Sequence, residues 1–154
     1  MDNPLWHFSL RHYARPGVES LCLEAQDRHG VDVNILLYAA WLARGERGVD
    51  RAHLQGLLLA TEGWRRDVVA PLRELRRQWR QVPDVAALRG QLRALELQAE
   101  RAQQDRIWEY SVAHPPRAAS AGLRANLDAV FDASGVGETA SAALVEALAE
   151  ALAP

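Results

Sequence analysis

Val31-Asp32-Val33-Asn34-Ile35-Leu36-Leu37-Tyr38-Ala39-Ala40-Trp41-Leu42-Ala43 is the stretch on which the fold turns. From Ile35 to Leu42 every side chain is apolar or aromatic, so a helix here has no face for water and must be enclosed by others. Asp32 stands where an N-cap belongs. Val31 before it and Leu36 after it have the spacing of a hydrophobic staple. The uninterrupted apolar run, Ile35 to Ala43, is nine residues long, whereas a membrane span needs about 20. The segment therefore reads as the central helix of an all-α fold.

Working outward, Asn3-Pro4 opens a first helix whose apolar face carries Leu5, Trp6, Phe8, Leu10 and Tyr13, with asparagine as cap and proline at the first helical position. Arg15-Pro16-Gly17 ends it. A second helix is expected from Val18 to His29, closed by Gly30. Asp50 caps the next helix, with Val49 and Leu54 repeating the staple. Leu54, Leu58, Thr61, Arg65, Val68, Leu72, Leu75, Trp79 and Val82 then alternate at four and three, the seam of a packed pair. Pro71 interrupts that seam and predicts a kink or break near Asp67. After Pro83-Asp84 a partner seam follows: Val85, Leu88, Leu92, Leu95, Ala99, Ala102. A short turn between two such helices makes a long antiparallel hairpin, Asp50 to Val112. The expected fold is a single all-α helical bundle around a buried central helix, and no strand pattern appears in the sequence.

Pro115-Pro116 marks a change of composition. Alanine supplies 13 of the last 38 residues, which favours helix. Leu123, Leu127 and Val130 suggest one short helix, and Leu144, Leu148 and Leu152 another. The expected organisation is a helical core domain, residues 1–114, and an Ala-rich helical extension, residues 115–154, whose leucine stripe docks on the core or on another chain.

The 154 residues carry 18 basic and 20 acidic groups. Near-neutrality argues against nucleic acid as partner and gives no reason to bind a membrane. All the basic residues are arginine, which excludes Schiff-base lysine chemistry and a P-loop lysine. Cys22 is the single cysteine. It excludes an internal disulfide and zinc-finger thiolate sites, and it suits a reducing, cytoplasmic location. The N-terminus lacks the charged start and apolar run of a signal peptide.

The pattern Leu5-Trp6-x-Phe8-x-Leu10-x-x-Tyr13-x-x-Pro16-Gly17-Val18, followed by Gln26-Asp27-x-His29-Gly30-x-Asp32-Val33-Asn34-x-Leu36-Leu37, resembles a family of short proteobacterial proteins known only as a domain of unknown function. Trp41-Leu42, Trp64 and Pro71-Leu72-Arg73-x-x-Arg76 extend the likeness, which covers about residues 1–112. The resemblance implies a bacterial, cytosolic helical protein. It implies no activity and transfers no catalytic residue.

Candidate chemistry is sparse. In the polar loop from Gln26 to Asn34, Asp27, His29 and Asp32 could form an acid–base group or part of a metal site. Capping explains the same residues: His29 at a helix C-terminus, Gly30 as stop, Asp32 as the next cap. Asp50-x-x-His53 is at most a fragment of a metal site, and Asp50 is explained as a cap. No metal, no cofactor and no catalytic residue is assigned. Helices two and three have the outline of a helix-turn-helix, but the third is too apolar to read bases.

The arginines are the strongest positive signal. Arg44 to Arg93 holds 11 arginines and six acids, whereas Ala94 to Pro154 holds four and nine. Arg73, Arg76, Arg77, Arg80, Arg89 and Arg93 gather on one side of the hairpin, where like charge needs a counter-charge. That counter-charge is an external anion or acidic partner, the acidic C-terminal segment folded back, or simply solvent. Two functional readings follow. The first is a non-enzymatic helical interaction or adaptor protein that meets a protein partner or a second copy of itself. The alternative is a small-molecule enzyme or anion-binding protein with a pocket lined by Trp6, Tyr13, Asp32, Asn34 and the arginines near Pro71. A cavity joining the Asp32 loop to Arg73 favours the alternative, and a filled core favours the first.

Overall fold

The computed structural model describes residues 2–154. The fold is all-α, and its helices are α1 (Pro4–Tyr13), α2 (Val18–His29), α3 (Val33–Arg44), α4 (Arg51–Trp64), α5 (Ala70–Gln78), α6 (Ala86–Ala113), α7 (Leu123–Ala133) and α8 (Glu138–Ala151). Caps set the boundaries as expected. Asn3 accepts from the amides of Leu5 and Trp6, Asp32 from those of Asn34 and Ile35, and Asp50 from that of His53. Gly30 closes α2 in the left-handed conformation, φ 67°, which a side chain disfavours.

Central α3 is buried from Asn34 to Ala40 and again at Leu42. It is wrapped by α1, α2, α6 and α7. Such enclosure is the physical consequence of its lacking a polar face. Between α4 and α5 the chain does not break. It passes through a π-helical turn, Arg65–Val69, whose wider ring lets the Ala70 amide donate to the Arg65 carbonyl. Pro71 has no amide to give Asp67, and the π-turn absorbs that loss.

α6 returns antiparallel to α4–α5, but its seam differs from the expected one. Leu92 and Ala99 are buried, as the heptad reading requires, whereas Leu88 and Leu95 are half exposed. The buried positions continue as Glu96, Gln103, Gln104, Ile107 and Ser111. The reason is that α6 packs on α1 and α3 as well as on α4 and α5, so its inward face is set by a bundle rather than by one partner helix.

Residues 115–154 carry α7 and α8, and these helices enter the main core. α7 lies on α3 and α4, and α8 lies on α2 and α7. Leu127, Val130, Phe131, Val145 and Leu148 are buried in one cluster with Leu5, Val18, Ile35 and Leu54. Buried Asn126 stitches α7 to the α3–α4 connection: its amide donates to the carbonyls of Ala39 and Arg47, and its oxygen accepts from the Val49 amide. The segment joining α6 to α7 crosses Gly48 so closely that a Cβ there would run into the Ala119 carbonyl.

Candidate functional site

On the side of α3 away from α7 the helices do not close. A cavity of about 970 Å³ lies between α1, α2, the start of α3, α5 and α6, at the upper end of the range for small-molecule sites. α1 contributes Trp6, Ser9, Leu10 and Tyr13. α2 contributes Glu19, Leu23, Gln26 and Asp27. The α3 terminus adds Asp32, Asn34 and Leu37. The opposite wall is Arg73, Arg76 and Arg77 of α5, Arg80 of the 3-10 turn that follows, and Arg93, Glu96, Leu97, Glu100 and Gln104 of α6.

The cavity thus brings together Trp6, Tyr13, Asp32 and Asn34 with Arg73, Arg76, Arg77, Arg80 and Arg93. Arg89 is outside it, with its buried Nε unpaired. Several of the arginines already have counter-charges within the bundle. Glu96 takes both Arg76, through two guanidinium nitrogens, and Arg73, whose Nε is 3.7 Å away. Glu100 is 3.3 Å from Arg73, and Asp27 is 2.6 Å from Arg77. Glu96 and Glu100 belong to the acid-rich stretch Ala94 to Pro154, on α6, and none of these partners lies in residues 115–154. Within residues 115–154, Glu146 pairs with Arg124 and Asp132 with Arg51. Exposed Arg80 and Arg93 have no ion pair among the described residues.

Burial governs the titration of the wall. It pushes the Glu100 carboxyl above the ordinary carboxylate range despite Arg73 beside it, with Glu96 adding repulsion. It also pushes the Tyr13 hydroxyl well up, so that Tyr13 stays a neutral donor. The Arg77 hydrogen bond holds Asp27 below its usual value. Cys22, outside the cavity wall, is fully buried and its thiol is pushed up to about 12 by desolvation. It is an inert core residue.

The polar loop divides between capping and the cavity. His29 ends α2 and lies edge-on to Phe131. Asp32 caps α3 with Oδ1, while its Oδ2 accepts from Gln103 Nε2 at 2.9 Å and faces Arg65 Nε at 3.5 Å. Asn34 bonds across to α6 rather than within its own first turn: Nδ2 to Gln103 Oε1 and Oδ1 from Gln104 Nε2, both 3.0 Å. His53 Nε2 meets the Tyr38 hydroxyl at 2.8 Å, in an aromatic cluster with Tyr110. Asp50 is occupied as a cap.

Sequence reasoning missed Ser9, Glu96, Glu100, Gln103 and Gln104. The glutamates carried one signal, because carboxyls four apart on α6 match arginines three apart on α5. The glutamines carried none, since their role depends on α6 crossing the start of α3.

No curated protein and no solved structure matches the chain. A family model described as "Protein of unknown function (DUF2390)" matches residues 4–107, a span that contains the entire cavity wall, from Trp6 to Gln104. The chain belongs to that family.

Proposed function

We propose that the protein binds a small organic anion in the cavity between α1, α2, α5 and α6, with Arg80 and Arg93 as its charged contacts. The observation that carries this reading is the convergence of the Asp32 loop and the hairpin arginines on one 970 Å³ space. Five arginines and five carboxyls line it: Glu19, Asp27, Asp32, Glu96 and Glu100. A nucleic-acid surface would not interleave so many carboxyls with its arginines. Arg73 and Arg76 are held by glutamates and Arg77 by Asp27, and the two exposed ones are left for a ligand. A guanidinium pair suits a carboxylate or phosphate. Tyr13, kept neutral by burial, gives the wall a further hydrogen-bond donor for the bound anion.

The test is a thermal-shift and tryptophan-fluorescence titration, Trp6 being in the wall, with inorganic phosphate and short mono- and dicarboxylates. Saturable binding at millimolar concentrations or below is expected, and Arg80→Gln with Arg93→Gln should weaken it at least about tenfold. Absence of saturable binding by every anion would overturn the reading.

A second reading, the interaction protein, rests on a different surface. Leu75, Val82, Leu88 and Leu95 are 37–54% exposed at the hairpin end, an apolar strip of the kind that meets a protein partner or a second copy. Its test is the oligomeric state of a Leu88→Gln, Leu95→Gln variant. A bacterial cytosolic setting fits the buried unpaired thiol. Among the described residues no helix is long and apolar enough to cross a membrane.

A further inference from the structure

Beside the cavity runs a chain of side-chain amides, of which Asn34 and Gln104 line it, and its direction is dictated at one end. Asp32 Oδ2 is a carboxylate oxygen and can only accept, so Gln103 must present Nε2 to it, at 2.9 Å. Gln103 Oε1 is then an acceptor and takes Asn34 Nδ2 at 3.0 Å. Asn34 Oδ1 in turn takes Gln104 Nε2 at 3.0 Å. Each amide orientation follows from the one before it, which removes the usual ambiguity between amide oxygen and nitrogen. What remains at the far end is Gln104 Oε1, an acceptor. Gln104 is 1% exposed, and its Oε1 has no hydrogen-bond partner. Ser9, 3% exposed and in the same cavity wall, also has an unpartnered Oγ. A buried polar atom without a partner is costly, and two in one wall call for something that supplies the missing bonds.

We propose that the cavity takes a zwitterion, whose ammonium group donates to Gln104 Oε1 and Ser9 Oγ while its carboxylate or phosphate reaches Arg80 and Arg93. The proposal rests on the small-anion reading above and narrows its ligand class. Charge placement supports this orientation. The carboxyls of Asp32, Glu96 and Glu100 share the inner wall with Gln104. Glu100 lacks enough positive charge around it to offset its desolvation, so a cation nearby would be welcome. The two arginines without ion pairs are exposed, which sets the acid end outward.

The experiment compares zwitterions with their deaminated partners on the full chain: 4-aminobutyrate with butyrate, 6-aminohexanoate with hexanoate, and phosphoethanolamine with ethyl phosphate. Within at least one pair the zwitterion should bind ten or more times tighter, read by calorimetry and by Trp fluorescence. Equal affinity within every pair overturns the zwitterion assignment and leaves the anion reading standing. No binding by any member overturns both. Asp32→Asn probes the amide chain directly. Asparagine keeps the Oδ1 cap but puts an amide where Oδ2 stood, which reverses each amide in turn and presents Gln104 Nε2, a donor, at the far end. The preference for the zwitterion should fall at least tenfold in this variant, with the circular dichroism unchanged. A retained preference overturns the relay. Should Asp32→Asn not fold, Gln104→Met removes the terminal acceptor and must abolish the same preference.

Discussion

The two sides of α3 solve opposite problems. Toward α7 and α8 the packing is dry: Leu127, Val130 and Phe131 are at most 1% exposed, and the buried polar side chains there, Asn126 and Ser141, have hydrogen-bond partners within the protein. Toward α5 and the first half of α6 the walls stand apart, and the lining is charged and amide-rich. Two of its buried polar atoms have no partner. A protein that could close the first side so completely had the means to close the second. The difference supports the proposal of a ligand on the open side, with α7 and α8 packed into the shared core on the other.

The hardest test of this division removes the dry side. Deleting residues 115–154 takes away α7 and α8 and uncovers Ile35, Leu54 and Val18 in the shared core. Burying one large apolar side chain is worth about 2 kcal/mol, and a domain's whole stability is about 5–15 kcal/mol. Losing Leu127, Val130, Phe131, Val145 and Leu148 together removes about 10 kcal/mol, comparable to that whole reserve, and the truncated chain should lose its cooperative melting transition. Circular dichroism settles it. A truncated protein that melts cooperatively would bear out residues 1–114 as a domain in its own right and make the tail an accessory.

That expectation also shows what was legible in the sequence. The helix boundaries were, because they depend on local chemistry: Asn3, Asp32 and Asp50 as caps, Gly30 as stop, Pro71 as the lesion that became a π-turn. Burial of α3 was legible from composition alone. The depth of the tail's docking was not, because an alanine-rich amphipathic helix looks the same whether it closes a core or decorates it. On the cavity side, the arginines announced themselves by number, and Trp6, Tyr13, Asp32 and Asn34 by position. Gln103 and Gln104 were silent, since a heptad reading assigned Ala102 to the seam and α6 instead turned its glutamines to Asp32 and Asn34 at the start of α3.

A single residue can then be used against the dry side. Asn126→Leu keeps the volume roughly constant but strands the Val49 amide and the Arg47 carbonyl. Each stranded buried group costs about 1–3 kcal/mol, so a loss of about 3 kcal/mol is expected. Chemical denaturation should show it with an unchanged m value, and ligand binding to the intact fold should be unaffected.

On the open side the corresponding residue is Glu96, 9% exposed at its side chain and shared by Arg73 and Arg76. Glu96→Gln leaves two partly buried guanidiniums with only Glu100 nearby. Breaking a fully buried pair costs about 3–5 kcal/mol. Here the arginines keep some solvent, and about 2 kcal/mol is expected. Unlike Asn126→Leu, this change should also tighten binding of simple anions, because it frees positive charge within the cavity. A variant that loses stability yet binds anions no better would place Glu96 with the scaffold instead of the site.

Glu100 gives the smallest effect and the most diagnostic one, because its sign is opposite. Its folded pKa lies above the ordinary 4.5 through desolvation. A raised carboxyl favours folding in full only below the unfolded value, and that contribution is lost as pH rises through the folded value. Above that folded value the ionised Glu100 is therefore a burden on the fold, partly screened because its side chain is 31% exposed. Glu100→Gln should raise the melting temperature at pH 7 by roughly 1–3 °C, and the gain should vanish near pH 4, where the wild-type carboxyl is protonated. On the dry side no buried acid exists among α7 and α8 residues to produce such a profile. A stabilising, pH-dependent substitution is what a site held open for a ligand predicts, since the group is placed for a bound cation rather than for the empty fold. If Glu100→Gln instead destabilises the protein equally at both pH values, its bond to Arg73 outweighs its burial, and Glu100 belongs with Glu96 as a brace of the arginine wall.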